Sequence, residues 1–393
     1  MTEIKVDRND FVYLLWCAVH DEMPDEKRFS DQNKMELFEA CMQHKVSALA
    51  ALAAEKTDFD EEVREAFRED RLNAIRLNIL FLAETERLLG VLEQEGIAHI
   101  PLKGYELIKY YPQGLVRQMG DIDILADNSC QEKIHTIMLE NGYNEKSYGL
   151  SHDDVYFREP FYKYEMHRML FTEREKQWHD YYEDIFTRLK RAEGKNYRYY
   201  FTDEDFYIYY ILHNVKHIRI AGSGIRSLLD IYYFLSNKKP DFSYIEKELE
   251  KLGVLREEKI LRRLAMKIFS EKSAGRINEL DNEEKEMLEA LIRFGVYGSQ
   301  ENSYKIKISK MSEGKYDSGS KLKYITNRIF CIPEIYKVRC PALYKNRVTR
   351  PLIFFVRAFN GITVKRKKVI REFKVVISSE KEKEQKQPRN PAG

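Results

Sequence analysis

The chain has 393 residues, 43% of them hydrophobic, so it is long enough for two or three domains and for a sizeable buried core. It contains no run of about 18 apolar residues, and its N-terminus lacks the apolar stretch of a signal peptide, so we expect a cytoplasmic protein without a membrane partner. The five cysteines are odd in number and lack Cys-x-x-Cys spacing, which disfavours a disulfide framework and a structural zinc site.

The net charge of +2 hides an uneven distribution of charge along the chain. Residues 301–393 carry 23 Lys and Arg against 8 Asp and Glu. Such a basic segment can bind nucleic acid or an anionic membrane, but we favour a solvated helical surface that packs against the acidic remainder. We therefore interpret residues 301–377 as a basic C-terminal segment. Residues 378–393, which are charged and contain Gln and Pro, are predicted to be a disordered tail.

Helical periodicity of apolar residues dominates residues 1–96 and predicts three or four helices. The last of them should run from about Glu62 to Glu95 and end at Gly96, because glycine commonly terminates a helix. From Ile97 to Phe171 the periodicity becomes that of short strands. This change predicts a small mixed sheet with two helices within residues 97–175.

The stretch from Arg117 to Leu125 contains the most informative motif, Asp121-Ile122-Asp123. Side chains alternate between the two faces of a strand, so Asp121 and Asp123 project from one face and the isoleucines from the other. Two carboxylates this close repel each other unless a cation lies between them, and oxygen ligands suit Mg²⁺ or Mn²⁺ better than zinc. The pair therefore predicts half of a metal site.

A short apolar strand precedes this motif. It runs from Ile97 to Leu102 and ends at Lys103-Gly104. A helix from Tyr105 to Tyr111 follows and is stopped by Pro112. The predicted order is therefore strand, glycine turn, helix, and strand with Asp-x-Asp.

The last strand predicted in this region runs from Tyr162 to Leu170 and places Lys163, Glu165 and His167 on one face. Glu165 joins the two aspartates if this strand lies beside theirs. His167 then points the same way and can orient a carboxylate or contact a substrate. A half-buried polar residue on a sheet is an equally good interpretation of His167.

Helical periodicity returns after residue 176, and two consecutive helices joined by a glycine-rich turn carry a group of cationic side chains. This group consists of His213, Lys216, His217 and Arg226. A triphosphate needs cations of this kind, and the turn at residues 221–224 can donate backbone N–H groups to an anion. The alternative is that Arg226 forms an intrahelical ion pair with Asp230, one turn later, and that the histidines lie at the surface.

The order of elements and carboxylates resembles the nucleotidyltransferase superfamily of DNA polymerase beta, in which a glycine turn follows the first strand and the next strand carries two carboxylates. The chain differs from that superfamily at the turn, where Lys103-Gly104-Tyr105 stands in place of the usual Gly-Ser or Gly-Gly. A narrower combination resembles the family of uncharacterised bacterial nucleotidyltransferases, over roughly residues 70–240. It consists of Leu102-Lys103-Gly104, Tyr111-Pro112, Arg117, Gly120 to Leu125, Asn141-Gly142-Tyr143 and Glu165-Met166-His167.

The resemblance implies an α+β fold, in which N-terminal helices precede a small mixed β-sheet nucleotidyltransferase core at residues 97–175 and a helical nucleotide-binding domain follows at residues 176–300. It implies transfer of an NMP from an NTP to an acceptor hydroxyl, with release of pyrophosphate and with Mg²⁺ or Mn²⁺ as cofactor. We favour a small molecule as the acceptor. The alternatives are a protein-modifying enzyme that transfers AMP or UMP to Tyr, Ser or Thr, and a non-catalytic nucleotide-binding regulator.

Each candidate residue has a role on this hypothesis. Asp121 and Asp123 bind both cations, and Glu165 completes the site of one cation or acts as the general base. His167 and Asp230 support these groups. The candidate nucleotide ligands are Lys103, Gly104, Arg117, His213, Lys216, His217 and Arg226.

Overall fold

The structure is a computed structural model, and it divides the chain into two units, of which Thr2–Tyr297 contains the fold and the site described below. The described residues are 6–30, 33–111, 115–220, 222–273, 275, 277–293, 295, 326, 336, 340–346 and 348–356. In the second unit the described elements are a short helix, Pro341–Lys345, and a 3₁₀ turn, Arg350–Leu352. Most of the predicted basic segment at residues 301–377, and all of the predicted tail at residues 378–393, lie outside the described residues.

Helices form the N-terminal part, as predicted. Those within the described residues are α1 (Arg8–His20), α2 (Lys34–Gln43), α3 (Ser47–Ala54) and α4 (Glu61–Gln94). The side chain of Asp7 accepts hydrogen bonds from two N–H groups in the first turn of α1, and Asn33 caps α2 in the same way. Helix α4 agrees with its predicted range to within one residue at each end. Gly96 follows it with a φ of 71°, which residues with a side chain rarely adopt.

A five-stranded mixed sheet follows, which confirms the predicted fold class. Its strands, in chain order, are β1 (His99–Pro101), β2 (Ile122–Ala126), β3 (Asn144–Ser147), β4 (Asp153–Arg158) and β5 (Tyr162–His167). Their spatial order is β1-β2-β5-β4-β3. Strands β2 and β5 are parallel, and the other neighbours are antiparallel. The connections contain α5 (Gly104–Leu107) and α6 (Gln131–Glu140).

The two faces of this sheet differ in chemistry. One face packs on α4 and α6 through buried side chains that include Leu88, Ile134 and Met166. Alternation along β2 puts Ile122 and Ile124 into the same core, and therefore turns Asp123 to the opposite face. The sheet thus presents its polar side chains to the helices that follow in the chain.

The remaining part of this unit is helical apart from a small hairpin. Its elements are α7 (Lys176–Tyr181), α8 (Ile185–Arg188), β6 (Lys190–Arg191), β7 (Tyr199–Tyr200), α9 (Asp203–Ile220), α10 (Arg226–Asn237), α11 (Phe242–Lys251), α12 (Leu255–Phe269) and α13 (Asn282–Ile292). Helix α9 begins where it was predicted, and the N–H of Asp205 donates to the Thr202 hydroxyl at 3.1 Å. Residues from both helical parts, such as Leu49 and Ile211, are fully buried in one core. The domain boundaries after residues 96 and 175 remain predictions.

No helix within the described residues is both long enough and apolar enough to cross a membrane.

Candidate active site

Neighbouring parallel strands bring the predicted carboxylates together. The register of β2 and β5 pairs Asp123 with Glu165, so both side chains lie on the same face of the sheet. Asp121 immediately precedes β2. All three line a cavity of about 380 Å³ between the sheet and helices α9 and α10. The structure therefore meets the condition that β5 lies beside β2, which brings Glu165 to the two aspartates.

Two lysines neutralise these carboxylates in part. The Lys163 ammonium lies 2.6 Å from Asp121 Oδ2 and 2.6 Å from Glu165 Oε1. The Lys103 ammonium lies 2.9 Å from Asp123 Oδ1. The sequence showed that Lys163 shares a face with Glu165, but its contact with Asp121 depends on the register of the two strands and was not predicted.

The carboxylates differ in their proton affinity. Burial alone would raise the pKa of Asp123, but the Lys103 ammonium and the His167 ring outweigh burial and hold the pKa well below its usual range. Burial, together with the charges of Asp123 and Asp121, raises the pKa of Glu165 despite its contact with Lys163. Glu165 is therefore the stronger base of these two carboxylates.

Three of the side chains on this face can hold a divalent cation. The candidate ligand atoms of Asp123, Glu165 and His167 all lie within 4.8 Å of one another, and within the described residues this is the only group of three or more such side chains. His167 Nε2 lies 2.8 Å from Asp123 Oδ1, so the ring is held against the carboxylate. Two carboxylates and an imidazole fit a divalent metal. Asp121 lies outside this group.

The turn after β1 is strained where it enters the site. Lys103 has a φ of 41°, in the left-handed region that side chains other than Asn and Asp rarely adopt, and such strain is typical of functional sites. Gly104 follows, and a Cβ atom at this position would lie 2.8 Å from Arg117 Nη1. Both residues line the cavity. The turn therefore needs glycine at 104 in order to admit the Arg117 side chain.

Histidine and arginine side chains form the opposite wall of the cavity. His213 and His217 on α9 and Arg226 at the start of α10 all line it. Arg226 Nη1 donates to the backbone carbonyl of Gln118 at 2.7 Å, which links α10 to the segment before β2. Lys216 lies outside this lining, with its ammonium 5.7 Å from the centre of the Phe171 ring.

The two histidines of this wall are neutral at pH 7. Loss of solvation and the nearby Lys103 ammonium lower the pKa of His213 well below its usual value. The same two causes, with a further contribution from Lys216, lower the pKa of His217 to about 4. At neutral pH these rings therefore offer hydrogen bonds to an anion, while Lys103 and Arg226 carry the positive charge.

Arg117 and Asp230 form a buried ion pair that connects the two walls. Arg117 Nε and Nη2 donate to the two oxygens of Asp230 at 2.7 Å and 2.8 Å, and the hydroxyls of Tyr111 and Tyr210 donate to the same carboxylate. These contacts lower the pKa of Asp230, although burial alone would raise it. Asp230 thus pairs with Arg117 from outside its helix, and the alternative of an Arg226–Asp230 ion pair within α10 is not what the structure shows.

The structure therefore assembles most of the candidate residues around one cavity. Those that line it are Lys103, Gly104, Arg117, Asp121, Asp123, Glu165, His213, His217, Arg226 and Asp230. His167 lies behind Asp123, and Lys216 lies outside the lining. Sequence reasoning gave no role to Lys163, nor to Asn214 on α9, whose amide oxygen accepts from the Ser223 hydroxyl at 3.2 Å. The position of Asn214 one residue after His213 on a helix gave no signal of its place in the cavity.

Comparison with known proteins bears on the predicted resemblance. A family model described as an uncharacterised nucleotidyltransferase matches residues 30–270, a range that contains the sheet, the turn after β1 and helices α9 and α10. No curated protein and no solved structure shows significant similarity to the chain. The match covers more than half of the chain and confirms the predicted resemblance, so the chain belongs to this uncharacterised nucleotidyltransferase family.

Proposed function

We propose that the protein is a metal-dependent nucleotidyltransferase that moves an NMP from an NTP to an acceptor hydroxyl and releases pyrophosphate. Membership of the family supports nucleotidyl transfer in general. One observation carries the finer proposal: a sheet face with Asp121, Asp123 and Glu165 lies across a single cavity from the histidines of α9 and the Arg226 guanidinium of α10. A triphosphate fits between walls of opposite charge when cations accompany it.

The metal belongs on the sheet side of this cavity. Asp123, Glu165 and His167 are the residues that fit it, because their ligand atoms already lie close together. When bound, Mg²⁺ or Mn²⁺ supplies Lewis-acid stabilisation of the charge on the phosphoryl oxygens. His167 keeps Asp123 oriented through its Nε2 contact at 2.8 Å.

The chain's own residues then have distinct tasks in the transfer. Arg226 and Lys103 bind the triphosphate as fixed charges, and His213 and His217 donate hydrogen bonds to it. The acceptor oxygen forms a bond to the α-phosphorus as the bond from that phosphorus to the β-phosphate oxygen breaks, and pyrophosphate leaves. The acceptor's proton passes to Glu165, which lines the cavity beside Asp121 and Asp123.

We favour a small molecule as the acceptor, with protein modification as the alternative. The test incubates the purified protein with each α-labelled NTP, with Mg²⁺ or Mn²⁺, and with a lysate separated into small-molecule, protein and RNA fractions. Asp123→Asn serves as the inactive control. Label that enters the small-molecule fraction only with the parent protein supports the proposal.

Label in the protein fraction would instead identify the protein-modifying alternative. The non-catalytic regulator is the third outcome, and the pairing of all three carboxylates with lysines is the observation that favours it. NTP binding without transfer to any fraction would contradict the enzyme and support that regulator.

A further inference from the structure

Lys163 places its ammonium group between two carboxylates, where a two-metal nucleotidyl transfer site would hold a metal ion. Strand β5 lies parallel to β2 with Asp123 beside Glu165, and two residues back along each chain Lys163 lies beside Asp121, which immediately precedes β2. Its ammonium is 2.6 Å from Asp121 Oδ2 and 2.6 Å from Glu165 Oε1. The Lys163 side chain is only 28% exposed. A positive charge is thus held between two carboxylates of the sheet face.

We propose that Lys163 takes the place of one of the two divalent cations of nucleotidyl transfer, so that this protein holds a single divalent cation on Asp123, Glu165 and His167. The inference rests on the proposed function and specifies its metal site. In two-metal sites the cations lie about 3.5–4 Å apart and carboxylates are shared between them. Here Asp121, the first carboxylate of the Asp-x-Asp motif, and Glu165 share an ammonium group instead of a second metal ion.

The arrangement of the ligand atoms supports one cation site. Asp121 is absent from the group of candidate metal ligands found within the described residues, which contains Asp123, Glu165 and His167. A second cation held by Asp121 and Glu165 would lie where the Lys163 ammonium lies, and like charges at that distance repel strongly in a partly desolvated site. Lys163 cannot leave easily, because it is tethered two residues from Glu165 on the same strand.

The balance of charge points the same way. Three carboxylates on this face meet two ammonium groups, those of Lys103 and Lys163, in direct ion pairs. One divalent cation more than neutralises the remaining negative charge, so a second cation would find an electropositive site.

The test counts Mn²⁺ ions bound to the full chain, using electron paramagnetic resonance of free Mn²⁺ at millimolar concentration without nucleotide. We expect one Mn²⁺ per chain for the parent and two for Lys163→Met, with the spin coupling of a closely spaced pair in the variant. Lys163→Arg keeps the charge and should bind one. The matched control is Lys109→Met, which removes a lysine paired with Glu106 outside this site and should also bind one.

Two results would overturn the inference and leave the proposed function intact. The first is a parent protein that binds two Mn²⁺ ions, which would mean that Lys163 gives way to a cation. The second is a folded Lys163→Met variant that still binds one, with Lys163→Gln as the replacement if the methionine variant does not fold. A parent that binds no Mn²⁺ would overturn this inference and the metal dependence of the proposed function together.

Discussion

The sheet wall and the helical wall of the cavity are built in different ways. On the sheet wall the charged groups neutralise one another locally, because Lys103 and Lys163 contact the three carboxylates of the same wall. On the helical wall Arg226 contacts a backbone carbonyl, and in the described structure it makes no ion pair with a carboxylate. The buried ion pair between Arg117, before β2, and Asp230, on α10, connects the helical wall to the sheet wall.

This difference separates chemistry, binding and stability among the residues of one site. Changes on the sheet wall should alter turnover, because the proposed base and the proposed metal site lie there. Changes to Arg226 on the helical wall should alter nucleotide affinity. Changes to the buried network beneath should alter stability, because it carries charge that solvent does not reach. Three substitutions test whether these effects separate, and a fourth, at His44, tests stability outside the cavity lining.

The buried network should give the largest effect. Asp230→Ala leaves the Arg117 guanidinium, which is only 5% exposed, without its counter-charge. We expect the free energy of unfolding to fall by about 3–5 kcal/mol, the usual cost of breaking a buried ion pair. Urea unfolding followed by circular dichroism measures it. The control is Glu289→Ala, whose exposed pair with Arg8 should cost less than about 1 kcal/mol. Similar losses in the two variants would contradict the role given to the network.

The base on the sheet wall should give the next largest effect. Glu165→Gln preserves the shape of the side chain but removes the proton acceptor, so turnover should fall by at least about 10²-fold, as for loss of a general base. NTP affinity should change by less than about 1 kcal/mol, because the Gln amide oxygen can still face the metal, Asp123 and His167 remain as ligands, and Lys103 and Arg226 are untouched. Single-turnover transfer and calorimetric titration measure the two quantities, with Glu145→Gln on β3 as the control. A loss of affinity as large as the loss of turnover would show that binding and chemistry do not separate.

Arg226 should control affinity. Arg226→Ala should weaken NTP binding by on the order of 1.5–3 kcal/mol, the range for hydrogen bonds to charged groups. Calorimetric titration of the folded variant measures it, and Arg256→Ala, which removes an exposed arginine of α12, should leave affinity unchanged. Unchanged affinity in Arg226→Ala would mean that this arginine only joins α10 to Gln118.

His44 should give an effect that depends on pH and amounts to about 1 kcal/mol for each pH unit, the smallest step in this series. It is fully buried, its Nδ1 accepts from the N–H of Ile225 at 3.1 Å and its Nε2 donates to the carbonyl of Ile292. Burial lowers the pKa of His44 to about 4. The unfolded chain takes up a proton at about pH 6.5 and the folded chain does not, so stability is lost as the pH falls from 6.5 towards 4.

The expected loss is about 1 kcal/mol per pH unit over that window, and it should be smaller in His44→Gln. Urea unfolding at pH 6.5, 5.5 and 4.5 compares the parent with this variant, and His179→Gln, which changes a partly exposed histidine, should follow the parent. Parallel pH profiles for the parent and His44→Gln would mean that His44 does not stay neutral in the folded protein.

Local patterns in the sequence predicted the acidic wall well. The alternation of side chains along a strand is a short-range property. Asp121 and Asp123 could therefore be assigned to one face of their strand without any knowledge of tertiary structure. Lys163, Glu165 and His167 could be assigned in the same way to one face of theirs. The mixed sheet between helical parts was confirmed for the same reason, since the change of periodicity at residue 97 is local. The contact of Lys163 with Asp121 required the strand register, which periodicity does not supply.

Long-range partners could not be predicted in this way. Helical spacing suggested that Asp230 pairs with Arg226, four residues away. In the structure Asp230 pairs instead with Arg117, 113 residues away. Arg117 reaches Asp230 because Gly104 leaves room for its guanidinium, and no spacing rule encodes that fit. The position of Lys216 outside the cavity lining has a similar cause, because a shared helix face does not show which of its residues meet the sheet.

The measurement that tests the central claim most directly is Mg²⁺-dependent binding of NTP to Asp123→Asn. The parent should bind at least one of the four MgNTPs, and removal of Mg²⁺ by chelation should weaken that binding. In Asp123→Asn the affinity should fall by at least about tenfold and should no longer depend on Mg²⁺, because a proposed metal ligand is lost. The control is Asp127→Asn, which follows the same strand immediately and should behave as the parent. A folded Asp123→Asn variant that binds MgNTP as the parent does would contradict the metal site and, with it, the proposed enzyme.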